Sequence, residues 1–215
     1  MLIVGAKGFA KEVLEVLHQL DQTKNLVFYD DVNNDIPEVL FNKFPVLRNI
    51  EQAQKYFQEV DNKFTIGIGN PVLRKIMSDK FTLLGGILTS TISKTAFLGN
   101  YDVNIGQGTN ILKGAIFSNS TTIGKGGIVY YNSIITHDCI IGDFVEISPQ
   151  AIILGRSKIG SFSQIGSNST ILPDVTIGKN VIVGAGSVVT KDVPDNCLVV
   201  GTPALIKKEL PKLEF

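Results

Sequence analysis

Two histidines are all this 215-residue chain contains, and one stands beside an acid: His137 is followed directly by Asp138. A neutral imidazole can take a proton near physiological pH, and an adjacent carboxylate can fix its tautomer and stabilise the imidazolium that forms. Eighteen residues further on is Gly155. Its missing side chain would let a reacting carbonyl approach a backbone N–H able to stabilise an oxyanion. Together the three make an acyl-transfer set, if the fold stacks them; otherwise Asp138 is a solvated turn residue. His18 falls near the end of a helical pattern, where a dipole-favoured or exposed histidine is common, and is read as structural. Two histidines exclude a three-histidine metal site. Cys139 and Cys197 fit no metal spacing, and no second histidine accompanies a serine to activate it as a nucleophile.

The element that would position His137 is written around it. From Ile105 to Val189 an apolar residue recurs every six positions, and two residues before each the side chain is small, as at Ala115, Ser133, Cys139, Ala151, Ser157 and Ser163. A six-residue period suits neither an α-helix nor an ordinary strand; it suits a parallel β-helix with one short strand per hexad. Gly106, Gly124, Gly142, Gly160 and Gly178 add a period of eighteen. Three hexads per coil give a triangular cross-section, with a corner that needs unusual backbone angles or close approach. Counting in eighteens puts Asn119 one coil below His137, Gly155 one above and Pro173 two above, which leaves little side-chain bulk over the imidazole. The register also turns Cys139 and the serines inward, as packing. The phase weakens before residue 103, where Ile87, Ile92 and Phe97 are candidates for a first coil.

Only four of the twenty-one glycines precede residue 85, so the chain divides into residues 1–83 and 84–215, the latter including a C-terminal tail. The first part alternates strand and helix. Leu2 to Val4 leads through Gly5-Ala6-Lys7-Gly8 into a helix with Val13, Leu14, Val16, Leu17 and Leu20 on one face. Leu26 to Tyr29 ends in Asp30-Asp31, and Phe64 to Gly69 ends in Asn70 before a helix starting near Pro71. Such alternation implies a Rossmann-like parallel sheet whose ligands sit beyond the strand C-termini. The Gly5-x-x-Gly8 turn either offers N–H groups to a diphosphate or simply connects strand to helix. Asp30 and Asp31 either accept from a base or ribose or open a solvated loop. A net charge of zero with no Lys/Arg run argues against nucleic acid and anionic membranes. The absence of a leader or long apolar stretch, with so few cysteines, points to a reducing cytoplasm.

Thr136-His137-Asp138-Cys139 with Ile141-Gly142-Asp143, and the closing runs Gly184-Ala185-Gly186-Ser187-Val188-Val189 and Gly201-Thr202-Pro203-Ala204, resemble the PglD/NeuD-like bacterial sugar acyltransferases of the hexapeptide-repeat superfamily. The Gly-Ala-x-Gly turn, Asp30-Asp31 and Ile68-Gly69-Asn70 with Arg74 match that family's nucleotide-sugar domain. The resemblance implies a left-handed β-helix, a homotrimer, and acetyl-CoA in a groove between neighbouring solenoids, without a metal. His137 matches the catalytic base and Asp138 its acidic neighbour. The same resemblance implies that Gly155 N–H meets the thioester carbonyl, Ser167 and Ala185 line the pantetheine channel, and Pro203 lies near the adenine. Gly5, Lys7, Gly8, Asp30, Asp31 and Asn70 would hold nucleotide and diphosphate. Three positions depart from the pattern: Phe9 and Ala10 replace a histidine and glycine, and Tyr130, with Asn132 nearby, stands where amino-sugar members often carry asparagine. The implied activity is N-acetylation of a nucleotide-linked amino sugar for surface glycans, the acceptor approaching His137 from the N-terminal domain side. O-acetylation of a sialic acid-type sugar and a non-catalytic, nucleotide-sensing oligomeric scaffold are the alternatives.

Overall fold

The computed structural model describes residues 1–214. A sheet of six strands comes first: β1 (Leu2–Val4), β2 (Val27–Tyr29), β3 (Val39–Leu40), β4 (Phe44–Leu47), β5 (Lys63–Ile66) and β6 (Ile87–Leu88), in the order β3-β4-β2-β1-β5-β6. All pairings are parallel except β3 with β4. Helices α1 (Gly8–Gln19), α2 (Ile50–Glu59) and α3 (Pro71–Leu83) flank it. α1 forms because Phe9, Ala10, Val13, Val16 and Leu17 make one buried stripe. α3 starts where Asn70 Oδ1 accepts the Leu73 N–H and Pro71 occupies the first turn, which lacks a use for its N–H. Strands β3 and β4 and helix α2 carry no period strong enough to read from sequence. Ile87, a candidate for the first coil, belongs instead to this sheet, because β6 pairs with β5.

From Thr91 the chain winds as a left-handed β-helix of two- and three-residue strands. Its three faces hold eight, six and five strands. The first face stacks Thr91–Ile92 under Asn110–Ile111, Ile128–Val129, Glu146–Ile147, Gln164–Ile165 and Ile182–Val183. The second stacks Phe97–Leu98 under Ile116–Phe117, Ile134–Ile135, Ile152–Ile153, Thr170–Ile171 and Val188–Val189. The third runs from Val103–Ile105 to Thr176–Ile177. A final antiparallel pair, Cys197–Gly201 with Ala204–Glu209, closes the first face. The hexad residues fill the interior, joined by Ala115, Cys139, Val145, Ala151, Val175 and Val181. Ser133, Ser157, Ser163, Ser169 and Ser187 are buried among them. Several of these serines satisfy their hydroxyls on corner carbonyls, as Ser157 does on Leu172 O. The phase weakens early for a definite reason: Leu98 and Ile105, successive inward residues, are seven apart rather than six.

The corners correct one reading of the glycine series. Left-handed backbone recurs every six residues, at Asp102, Gly108, Gly114, Ser120, Gly126, Asn132, Asp138, Phe144 and onward to Gly186. None of Gly106, Gly124, Gly142, Gly160 or Gly178 has a positive φ. Those five are glycine for proximity alone: a Cβ on Gly106 would stand 2.3 Å from the Gly124 carbonyl carbon, and one on Gly160 would be 2.5 Å from that of Gly178.

The two parts share a core. Leu112 and Ile128 of the first solenoid face are buried with Phe9, Ala10, Val13 and Leu17 of α1, and Tyr130 and Tyr131 pack at the edge of that cluster. Asn110 is buried between them, accepting from Thr65 and Thr91 and donating to Ile66 O.

Candidate active site

His137 stands on the corner between the second and third faces, where the coil leaves Ile134–Ile135 and has yet to enter Ile140–Ile141. Asp138 takes the left-handed corner conformation, φ 61°, which turns its carboxylate back along the chain. Its Oδ2 lies 2.7 Å from His137 Nδ1, with both side chains about half exposed. A carboxylate at Nδ1 favours the tautomer that carries its proton there, which leaves the Nε2 lone pair free to act as the base. Gly155 lies directly above. A Cβ there would be 2.6 Å from Cε1 and 2.7 Å from Nε2, so the imidazole rests on the glycine and takes the space where a side chain would be. Gly155 is itself buried, so the room over the histidine expected from the register is filled by the ring. Arg156 N–H donates to His137 O, whereas among the described residues the Gly155 N–H has no acceptor. A free donor and a free imidazole nitrogen therefore adjoin on one corner. Beyond them Arg156 is paired with Asp174 at 2.6 Å and 2.7 Å. Cys139, one residue from Asp138, points inward, where burial raises its thiol pKa.

Ser167 and Ala185 lie elsewhere. They are eighteen apart on the corner between the first and second faces, and Pro203 follows above them in the turn after Cys197–Gly201, whose Gly201 N–H meets Ser187 Oγ. The second face separates them from His137 and Gly155.

A third group surrounds a cavity of about 560 Å³ at the C-terminal ends of β1, β2 and β5, lined by Gly5, Lys7, Gly8, Phe9, Asp30, Asp31 and the run Gly67 to Gly69. Gly5 has φ 105°, and a Cβ on it would meet Gly67 O at 2.8 Å, so this turn requires glycine. The N-terminus of α1 opens on the cavity, and no side chain caps it, which leaves donors for an anion. Lys7 reaches Asp35 at 3.3 Å across the entrance. Asp30, by contrast, is buried and spends its carboxylate on Val32 and Asn33 N–H and on Asn33 Nδ2. Asp31 accepts from Tyr29 Oη at 2.7 Å and faces Lys80 at 3.7 Å. Asn70 does not line the cavity, and its Oδ1 is committed to the α3 cap. Phe9 and Tyr130, two of the departures from the family pattern, touch: their rings are 5.3 Å apart between the cavity wall and the solenoid. Sequence reasoning missed Asn33 and Arg48, whose guanidinium donates to Asp30 O and Asn33 O and shapes this loop; no local motif marks either.

The cavity belongs to the domain packed on the first face, and His137 to the corner between the second and third. The N-terminal domain covers the first face, and His137 occupies the corner opposite that face. The approach from the N-terminal domain side, expected from the sequence, would have to span from the first face to that corner.

Comparison with known proteins decides the family. Residues 1–81 match the model of the PglD N-terminal domain, and residues 156–191 match that of the bacterial transferase hexapeptide (six repeats). WeeI from Acinetobacter baumannii is 32% identical, covering 95% of this chain and 98% of its own, with a TM-score of 0.78. The acetyltransferase domain of PglB from Neisseria gonorrhoeae is 30% identical over 95% and 98%, with a TM-score of 0.87. The chain belongs to the PglD/NeuD-like sugar acyltransferases. PerB from Caulobacter crescentus, solved with CoA and GDP-perosamine, is 29% identical over 96% of each chain, with a TM-score of 0.88. The PglB domain has also been solved with acetyl coenzyme A. No curated protein matches the chain by sequence. Among the described residues this family member has no group of three His, Cys, Asp or Glu side chains placed for a metal, and no helix long and apolar enough to cross a membrane.

Proposed function

We propose that the protein transfers the acetyl group of acetyl-CoA to the amino group of a nucleotide-linked sugar, with His137 as general base. The observation that carries this is the corner itself: an imidazole held at Nδ1 by Asp138, resting on a glycine whose N–H lacks an acceptor. The acceptor amine attacks the thioester carbonyl while Nε2 takes its proton. Gly155 N–H donates to the resulting oxyanion, and collapse breaks the C–S bond. The imidazolium then returns the proton to the CoA thiolate, and an amide and free CoA remain. PerB binds CoA and a nucleotide-linked amino sugar on this same fold, and the cavity at Gly5 to Gly8 suits the nucleotide end of such an acceptor.

The reading includes a homotrimer. His137 and Gly155 flank the second face on one side, and Ser167, Ala185 and Pro203 flank it on the other. They can line one groove only if the second face of one chain abuts a neighbour. That face is apolar outward as well as inward: Phe97 is 58% and Ile116 39% exposed, and Ile134, Ile152 and Val188 are partly so. An exposed apolar stripe of this kind marks an association surface. The same packing would bring a nucleotide-bound acceptor of one chain towards the His137 of another.

The test is to incubate the protein with acetyl-CoA and a panel of nucleotide-linked amino sugars, sialic acid-type sugars and free sugars, following CoA release. Turnover confined to amino-sugar nucleotides supports the reading. Turnover on sugar hydroxyls alone replaces it with O-acetylation, and no turnover with intact nucleotide binding leaves the scaffold reading.

A further inference from the structure

We infer that Arg74 is a positioning residue that sets the register between the nucleotide cavity and the solenoid. Arg74 is 1% exposed, and among the described residues its guanidinium makes no ion pair; each of its hydrogen bonds goes to a backbone carbonyl. Nε donates to Gly126 O at 3.0 Å, and one Nη to Phe144 O at 2.6 Å and Val145 O at 3.2 Å. The other Nη donates to Gly69 O. Gly126, Phe144 and Val145 belong to one corner of two successive coils, whereas Gly69 is part of the cavity wall. One planar group thus ties the wall of the binding cavity to the solenoid at three separate points of the chain.

Docking alone does not call for this. Leu112 and Ile128 already bury an apolar contact against α1, and enclosing a guanidinium that bonds to no carboxylate opposes stability, with the Glu146 charge offsetting only part of the desolvation. Burial lowers its pKa to about 10, so it stays charged at neutral pH. What the fork adds over an apolar contact is direction: its donors are coplanar and rigidly spaced, so rotating the domain or sliding it along the first face breaks at least one bond. The site is divided between a cavity on one domain and an imidazole on a solenoid. In such a site this register decides where an acceptor amine stands, and displacements near 1 Å cost on the order of 100-fold in rate.

The inference rests on the acetyl-transfer reading, and its test separates the two. In the full-length protein, Arg74→Lys and Arg74→Gln are compared with wild type using acetyl-CoA and a GDP-linked amino sugar. The expected result is a kcat lower by about 10- to 100-fold, with KM for acetyl-CoA within about twofold and soluble, folded protein. Spin labels on Glu51→Cys and Lys158→Cys should give one narrow distance in the wild-type background and a broadened or displaced one in either variant. Unchanged kcat with an unchanged distance overturns the inference, as does a kcat loss that merely follows the unfolded fraction in thermal melts. If wild type acetylates no acceptor offered, the transfer reading fails, and the label distance alone decides the role of Arg74.

Discussion

The solenoid and the N-terminal domain hold their chemistry by opposite means. From Ile105 to Val189 each position of the solenoid has an equivalent eighteen residues away, so neighbours in space follow from counting: Arg156 N–H on His137 O and Asp174 N–H on Gly155 O are the same bond one coil apart. In the N-terminal domain no such translation exists. The cavity is made by particular turns, Gly5 against Gly67 and Asp30 folded onto Asn33, and each must be found individually. A repeat therefore fixes where a catalytic group stands, while an irregular sheet edge fixes what it recognises.

That contrast is broken most directly at the histidine. His137→Ala should lower kcat by about 100- to 10,000-fold, with CoA affinity by calorimetry near that of wild type, since the ring is held by Asp138 and Gly155 on its own corner. Retained turnover would leave the solenoid with no chemistry of its own. Gly155→Ala comes next. Its Cβ would lie 2.6 Å from the imidazole, and at this corner the side chain is the easiest thing to displace. The expected outcome is about a 100-fold loss in kcat, with a melting temperature close to that of wild type. A large drop in melting temperature would make Gly155 a stacking glycine like Gly160.

The same contrast explains what could be read beforehand. The triangular β-helix, the inward set and the stacking of His137 under Gly155 were all legible, because a period of six repeats one packing problem many times. The eighteen-residue glycines were legible as a series. Their cause was not, since sequence does not separate positive φ from close approach, and the left-handed corners fall to Asp138, Phe144, Gln150 and Arg156 as readily as to glycine. In the N-terminal domain β1, α1, β2 and the start of α3 were visible from their caps and apolar runs. The edge strands around Pro45 and the helix at Ile50 were not, nor was the commitment of Asp30 to local hydrogen bonds. Those depend on partners such as Arg48 and Asn33 that no spacing announces. Nor could the period show which solenoid face the first domain covers, since that is set by the contacts of Leu112 and Ile128 with α1.

Gly8 sharpens the comparison from the other side. A Cβ there meets nothing within 4 Å and its φ is not positive, so Gly8→Ala should fold as well as wild type or slightly better. If a diphosphate lies against the first turn of α1, the added methyl should raise KM for the nucleotide sugar by about tenfold and leave KM for acetyl-CoA unchanged. An unaltered KM for the sugar nucleotide would move the phosphates away from this turn.

The smallest effect lies where the two regions meet. Glu146, on the first face, has its carboxyl pKa raised by burial, with only partial relief from the Arg74 charge and from the Ser148 hydroxyl at 3.3 Å. A carboxyl whose folded pKa exceeds its unfolded one binds more protons in the folded state. Its contribution is therefore most favourable at low pH and is lost as pH rises through the interval between the two values. Glu146→Gln removes that slope, so the variant should gain stability relative to wild type between pH 4 and pH 7. Because the side chain remains partly solvated, the gain should stay under about 1 kcal/mol. Denaturant midpoints of the two proteins at both pH values measure it. A variant that loses stability at pH 7 would instead make Glu146 a net favourable partner of Arg74, and the buried guanidinium would then have a counter-ion after all.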